Sequence, residues 1–175
     1  KQLCFIQDTL YMLRRNYPYT NDDYCDSLQN RFSNLLEELC TADKGMKYDF
    51  RELRKKERQF TMAVSTDGDM RVFSRNTYFG GSMPLFASYI QYKDKEHTYF
   101  FNINNDNDMG VCYDTIYSIQ ASDTRDYLLS GTSQIATAYP LAVMKAVSFA
   151  NGELKKETIF VSGNQQKDYL SISYR

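Results

Sequence analysis

Apolar residues recur at helical spacing at the start of the chain and at alternate positions from Phe60 onward. Leu3, Ile6, Leu10 and Leu13 stand three and four apart, which puts them on one face of a helix from about Gln2 to Arg15. Asn16-Tyr17-Pro18-Tyr19 should end it, because the residue before a proline is pushed out of the helical region. Thr20-Asn21-Asp22-Asp23 offers N-cap and acidic first-turn residues for a second helix, from about Asp22 to Cys40. Its stripe is Tyr24, Leu28, Phe32, Leu35, Leu36 and Leu39, and Gly45 supplies a stop. The two stripes predict an antiparallel helical hairpin over residues 1–45. Residues 46–58 read as a charged connector with room for a short helical piece around Phe50 and Leu53.

From Phe60 the period changes to two. Phe60, Met62 and Val64 alternate with other residues, as do Met70 and Val72 against Arg71 and Arg75, with Asp67-Gly68 between as a tight reversal. Strands are predicted at Phe60–Ser65, Met70–Arg75, Pro84–Tyr92, Thr98–Ile103, Thr115–Gln120, Tyr127–Gly131, Leu141–Phe149, Leu154–Phe160 and Tyr169–Tyr174. Asn151-Gly152 is the strongest turn signal among their connections, since both residues tolerate the turn that matches strand twist. Short connections imply antiparallel neighbours. The expectation is therefore one α+β domain over 1–175: a helical hairpin packed on an antiparallel, mostly meander sheet, curled or partly open as a barrel.

Composition supports this and narrows function. The chain has 15 Tyr and 11 Phe with no Trp, a bias that suits half-buried pleated surfaces. Net charge is −1, so no overall field recruits nucleic acid. The basic run Arg51 to Arg58 is interleaved with Glu52 and Glu57 and reads as a solvated face. No stretch reaches the ~20 apolar residues of a membrane-spanning helix. A start at Lys1 is what removal of an export signal would leave, and what an expression boundary would leave as well. Cys4, Cys25, Cys40 and Cys112 show no metal-ligand spacing. Cys25 and Cys40 fall on one helix, about 20 Å apart at ~1.5 Å per residue, too far to bridge. Folding of the first helix on the second would bring Cys4 towards Cys40, and buried free thiols are the other reading.

Catalytic signatures are sparse. His97 is the only histidine and stands in a charged turn, which leaves little for a Ser-His-Asp or Cys-His device. Nucleotide-binding and metalloprotease motifs do not occur, and no cofactor signature does. Asn104, Asp106 and Asp108 have alternate spacing suited to Ca²⁺. The match stops there, since Met109 stands where a calcium loop needs glycine and Thr115 where it needs glutamate. A better candidate is Arg75 to Pro84, where Gly80-Gly81 permits a tight backbone beside donors and a stacking ring. With Arg71 from the preceding strand, the candidate ligand-binding set is Arg71, Arg75, Thr77, Tyr78 and Gly81. Ser130 to Gln134 reads as a small-residue loop that would line the same end.

The stretch Ser65 to Gly81 carries the pattern S-x-DG-x-x-R-x-[YF]-S-x-x-T-x-x-GG. In this it resembles a family of exported bacterial proteins with no established activity, in which an aromatic commonly stands where Arg75 does here. The resemblance implies an extracytoplasmic location and no particular chemistry. The preferred expectation is a non-enzymatic extracytoplasmic binding module for a small ligand or protein partner, with glycan or peptide as ligand. The alternatives are a hydrolase of sugar or peptidoglycan working through a carboxylate pair such as Asp114, Asp123 or Asp126, and a structural protein–protein interaction domain.

Overall fold

In a computed structural model the chain is described over residues 1–16, 22–79, 84–95, 97–104, 110–121, 124–136 and 139–173. Helix α1 spans Gln2–Asn16 and α2 spans Asp22–Thr41, within a residue of the predicted bounds. The buried faces are Leu3, Ile6 and Leu10 on α1 and Leu28, Phe32 and Leu36 on α2, as the stripes require, except that Tyr24 is exposed and its neighbour Cys25 is buried in its stead. The connector contains 3₁₀ turns at Gly45–Lys47 and Lys56–Arg58. Around Phe50 there is a turn rather than a helical piece, with Phe50 itself at φ 49° and its carbonyl accepting from Leu53 and Arg54.

Strands β1 (Phe60–Val64), β2 (Met70–Asn76), β3 (Phe86–Asp94) and β4 (His97–Asn102) form a four-stranded antiparallel meander. The β1–β2 turn is held by Ser65, whose backbone and hydroxyl both bond Met70, and Gly68 takes φ +77°. The remaining β-structure makes a second sheet instead of extending the first. Strands β5 (Cys112–Ala121), β6 (Thr124–Ala136) and β7 (Tyr139–Ala150) are consecutive antiparallel neighbours. Ser130 to Gln134, predicted as a loop, is the continuing strand β6. Gly131 there passes so close to β5 that a Cβ would stand 2.3 Å from the Cys112 carbonyl oxygen, next to the bulge between Tyr113 and Thr115.

Strand β7 shares its far edge between two short strands, β8 (Glu153–Lys156) at one end and β11 (Tyr169–Ser173) at the other. The Asn151-Gly152 turn, both residues at positive φ, links β7 to β8. The single strand predicted from Leu154 to Phe160 is split, and β9 (Phe160–Ser162) pairs with β10 (Gln165–Lys167) as a separate hairpin. The first sheet lies between two layers. The helices cover one face, around Phe60, Phe73, Ala87 and Tyr89. The second sheet covers the other, where Val72, Ile90 and Tyr92 meet Tyr127, Leu129 and Val147. Strand β2 is buried at every position as a result. Among the described residues no closed barrel forms, and the sheets remain open.

Candidate functional site

Alternation along β2 places Arg71 and Arg75 on the same side, together with Phe73. The sequence reading expects that side to be open. The structure instead covers it with the helices, so both arginines are interior residues, 3% and 1% exposed respectively. Arg71 is fully engaged there. Its Nη1 donates to the Tyr48 carbonyl at 2.5 Å and its Nη2 to the Gly45 carbonyl at 2.5 Å. Its Nε donates to Gln91 Oε1 at 2.8 Å, while Gln91 Nε2 donates to the Cys40 carbonyl at 2.5 Å. A cation and an amide thus serve carbonyls at the end of α2 and in the turn after it, where the Gly45 carbonyl also accepts from the Tyr48 N–H. Burial lowers the Arg71 pKa and pushes the Cys40 thiol up to about 12, with Arg71 acting against the latter rise.

Arg75 is differently placed. Its guanidinium lies 4.3 Å from the centre of the Phe32 ring, and Nη2 donates to Gln29 Oε1. Its Nε and Nη1 are buried without a hydrogen-bond partner. Burial lowers its pKa, while the charge and a loose hydrogen-bonding approach of the Tyr89 hydroxyl, outside the geometry of a full bond and already 2.7 Å from Ser33 Oγ, work in the opposite direction. Thr77 donates from both its N–H and Oγ1 to the Leu85 carbonyl and accepts from Gln29 at its own carbonyl. Tyr78 sits at φ 64°, fixed by a bond from its N–H to Asn76 Oδ1. Its hydroxyl donates to the Arg58 carbonyl at 3.1 Å, and its ring meets Tyr11 edge-on at 5.5 Å. Burial raises its pKa. Gly81 lies outside the described residues. Arg75, Thr77 and Tyr78 therefore gather in a polar belt beneath the helices, joined by Gln7, which donates to the Arg58 and Asn76 carbonyls. Arg71 stands apart, at the other end of α2. The donors of this belt hold helices to sheet.

The other candidates are more exposed. His97 opens β4 in an exposed position beside Tyr99. Asn102 and Asn104 bond each other, and Asn104 Oδ1 accepts from the Ser88 N–H, which braces the start of the polar loop. Asp106 and Asp108 lie outside the described residues, as does Asp123. Among the described residues no group of three or more His, Cys, Asp or Glu side chains is placed to hold a metal ion. Asp114 is exposed and accepts from Thr115. Asp126 stands opposite Ser148, whose hydroxyl donates to Glu157. Burial and then the Glu157 charge raise the Asp126 pKa. An apolar groove of 530 Å³ runs between the first turn of α1, the second half of α2 and residues 48–53, with Leu3, Cys4, Leu39 and Phe50 in its lining. Its rim carries both signs of charge, from Lys1, Glu38 and Arg51 among others.

The most unusual surface is the end of the chain. Ile159, Val161, Tyr169, Leu170 and Ile172 are all large, apolar and exposed. Strand β11 is exposed at every position, although it is paired to β7 in an unbroken register. The Asp168 carbonyl accepts from the Ala146 N–H. In an antiparallel ladder the N–H and C=O of a residue point to the same side and successive residues alternate. Asp168, Leu170 and Ile172 thus turn their main-chain groups to β7, and Tyr169, Ser171 and Ser173 turn theirs away. Among the described residues no strand pairs with that outer edge. Edge strands are ordinarily blunted by Lys, Pro or a bulge. Tyr-Leu-Ser-Ile-Ser has none of these. That missing protection was visible in the sequence, but nothing there marked this strand as the edge. No protein-family model, curated protein or solved structure matches the chain.

Proposed function

We propose that the chain is a non-enzymatic interaction module that takes an extended peptide segment of a partner as an added strand along β11. The observation that carries this is the outer edge of β11, where Tyr169, Ser171 and Ser173 present exposed main-chain donors and acceptors. Main-chain pairing would supply affinity, and contact with Leu170 and Ile172 on one face would select apolar residues at alternate positions. A peptide suits this edge better than a glycan, which has no repeating N–H and C=O to match it. The extracytoplasmic location is part of the proposal and rests on the resemblance of the Ser65 to Gly81 stretch.

The test is binding of an array of extended, β-branched peptides by the wild type and by Ser171→Pro. The Ser171 N–H faces away from β7, so proline there removes an outward donor and leaves the β7–β11 ladder in place. Binding by the wild type that Ser171→Pro abolishes is the expected result. Equal binding by the two proteins, or none by either where the wild type is monomeric, would overturn the reading. A carboxylate-pair hydrolase is the second reading, favoured by one observation, the raised pKa of Asp126 beside Glu157. It requires turnover of a glycan or peptidoglycan substrate that Asp126→Asn removes.

A further inference from the structure

We infer that the strand added to β11 is β11 of a second copy, so that two molecules join through their second sheets into one continuous antiparallel sheet. This rests on the strand-addition reading above and names its partner. The argument is one of parity and self-complementarity. A two-fold axis through Ser171 sets the strands antiparallel, with Ser171 opposite the partner's Ser171 and Tyr169 opposite the partner's Ser173. Those residues are the ones whose main-chain groups face outward. Each outward N–H then meets a carbonyl of the other copy, in the closely spaced pairs of an antiparallel ladder. Such a match is not automatic. An axis through Leu170 or Ile172 would pair fewer outward residues and leave Tyr169 or Ser173 at the rim.

The side chains agree with the same axis. Leu170 falls opposite the partner's Ile172 and Ile172 opposite the partner's Leu170, on one face, so each exposed apolar residue gains an apolar cross-strand neighbour. Nothing in Tyr169 to Ser173 is charged, so the five paired positions of the strand oppose no like charges. An interface of this kind is isologous and closes on itself, which ends growth at two copies. The free edge is thereby consumed instead of remaining a template for open-ended association. Five residues a side bury less than the roughly 1,200 Å² of a standard stable interface. The association is therefore expected to depend on concentration.

Sedimentation equilibrium from micromolar to millimolar protein tests this. The wild type should rise from the chain mass of 20.5 kDa towards twice that value. Ser171→Pro should stay at the single-chain mass with an unchanged circular dichroism spectrum. Ser171→Cys supplies an independent readout, because facing residues of an antiparallel pair have Cα atoms ~5.5 Å apart, within disulfide range. Mild oxidation should give a disulfide-linked dimer with Ser171→Cys and not with the parent chain or with Ile172→Cys, whose opposite number is Leu170. A wild type that stays at the single-chain mass, with no cross-link through Ser171→Cys, overturns the inference. So does a dimer that Ser171→Pro leaves intact. If the wild type is monomeric yet still binds array peptides in a Ser171→Pro-sensitive way, the second copy is excluded and strand addition stands. If peptide binding is absent as well, both fall.

Discussion

Replacing Arg71 and Arg75 separately by methionine should give unequal results, although the two residues look alike by sequence and by burial. Arg71→Met keeps most of the aliphatic volume but strips donors from the Gly45 carbonyl, the Tyr48 carbonyl and Gln91. A buried polar group left unpaired costs about 1–3 kcal/mol. The Gly45 carbonyl keeps its bond from the Tyr48 N–H and residue Tyr48 is exposed, whereas Gln91 is buried and its Oε1 loses its donor. The loss is therefore about 1–3 kcal/mol, set mainly by Gln91 Oε1. Arg75→Met gives up contact with Phe32, worth about 1–2 kcal/mol for a desolvated cation over a ring. It also relieves the burial of two guanidinium nitrogens, Nε and Nη1, that have no well-formed hydrogen bond, a cost of about 1–3 kcal/mol each. Gln29 is half-buried and can bond water once Arg75 is gone. Arg75→Met should therefore fall within about 1 kcal/mol of the wild type, on either side. Urea unfolding by circular dichroism measures both, and a constant m-value is needed for the midpoints to be compared. Equal destabilisation by the two substitutions would refute the account, because it would require Arg75 to have a partner of the same strength as Arg71 has in Gln91.

Thiol labelling at pH 8 should separate Cys40 from Cys4. With the Cys40 pKa at about 12, only about one thiol in ten thousand is ionised, and the residue is fully buried. Cys4 lines the open groove and should label first, and mass spectrometry of partly labelled native protein checks the order. The Asp126 carboxyl titrates above the ordinary range because of burial and the Glu157 charge, so Glu157→Gln should lower its midpoint without restoring it fully, as followed by carboxyl NMR. The sign for stability follows from the same shift. The folded state binds this proton more tightly than the unfolded state, so Asp126 contributes most below the ordinary carboxylate range, and its contribution is lost as pH rises through the raised value.

The local pattern was sufficient for most elements. Leucines and isoleucines three and four apart delimit α1 and α2, and Asp67-Gly68 and Asn151-Gly152 mark turns, because backbone preference and side-chain period act within a few residues. The candidate site was less legible. Period two shows that Arg71 and Arg75 share a face with Phe73, but not what lies over that face. The sequence therefore suggests an open polar side, and the helices close it. The breaking of the β-region into two sheets was likewise out of reach. It depends on which strands meet across long separations, as when Thr61 on β1 donates to the Tyr113 carbonyl at the start of β5. The same limit hides the edge. Tyr169 to Ser173 reads as a strand like its neighbours, and only the tertiary arrangement leaves β11 paired on one side alone. Which residues lie together along each helix and strand follows from interactions a few residues apart. Which faces are covered and which edge stays open depends instead on contacts between segments far apart in the chain, and those exist only once the helices and sheets are packed together.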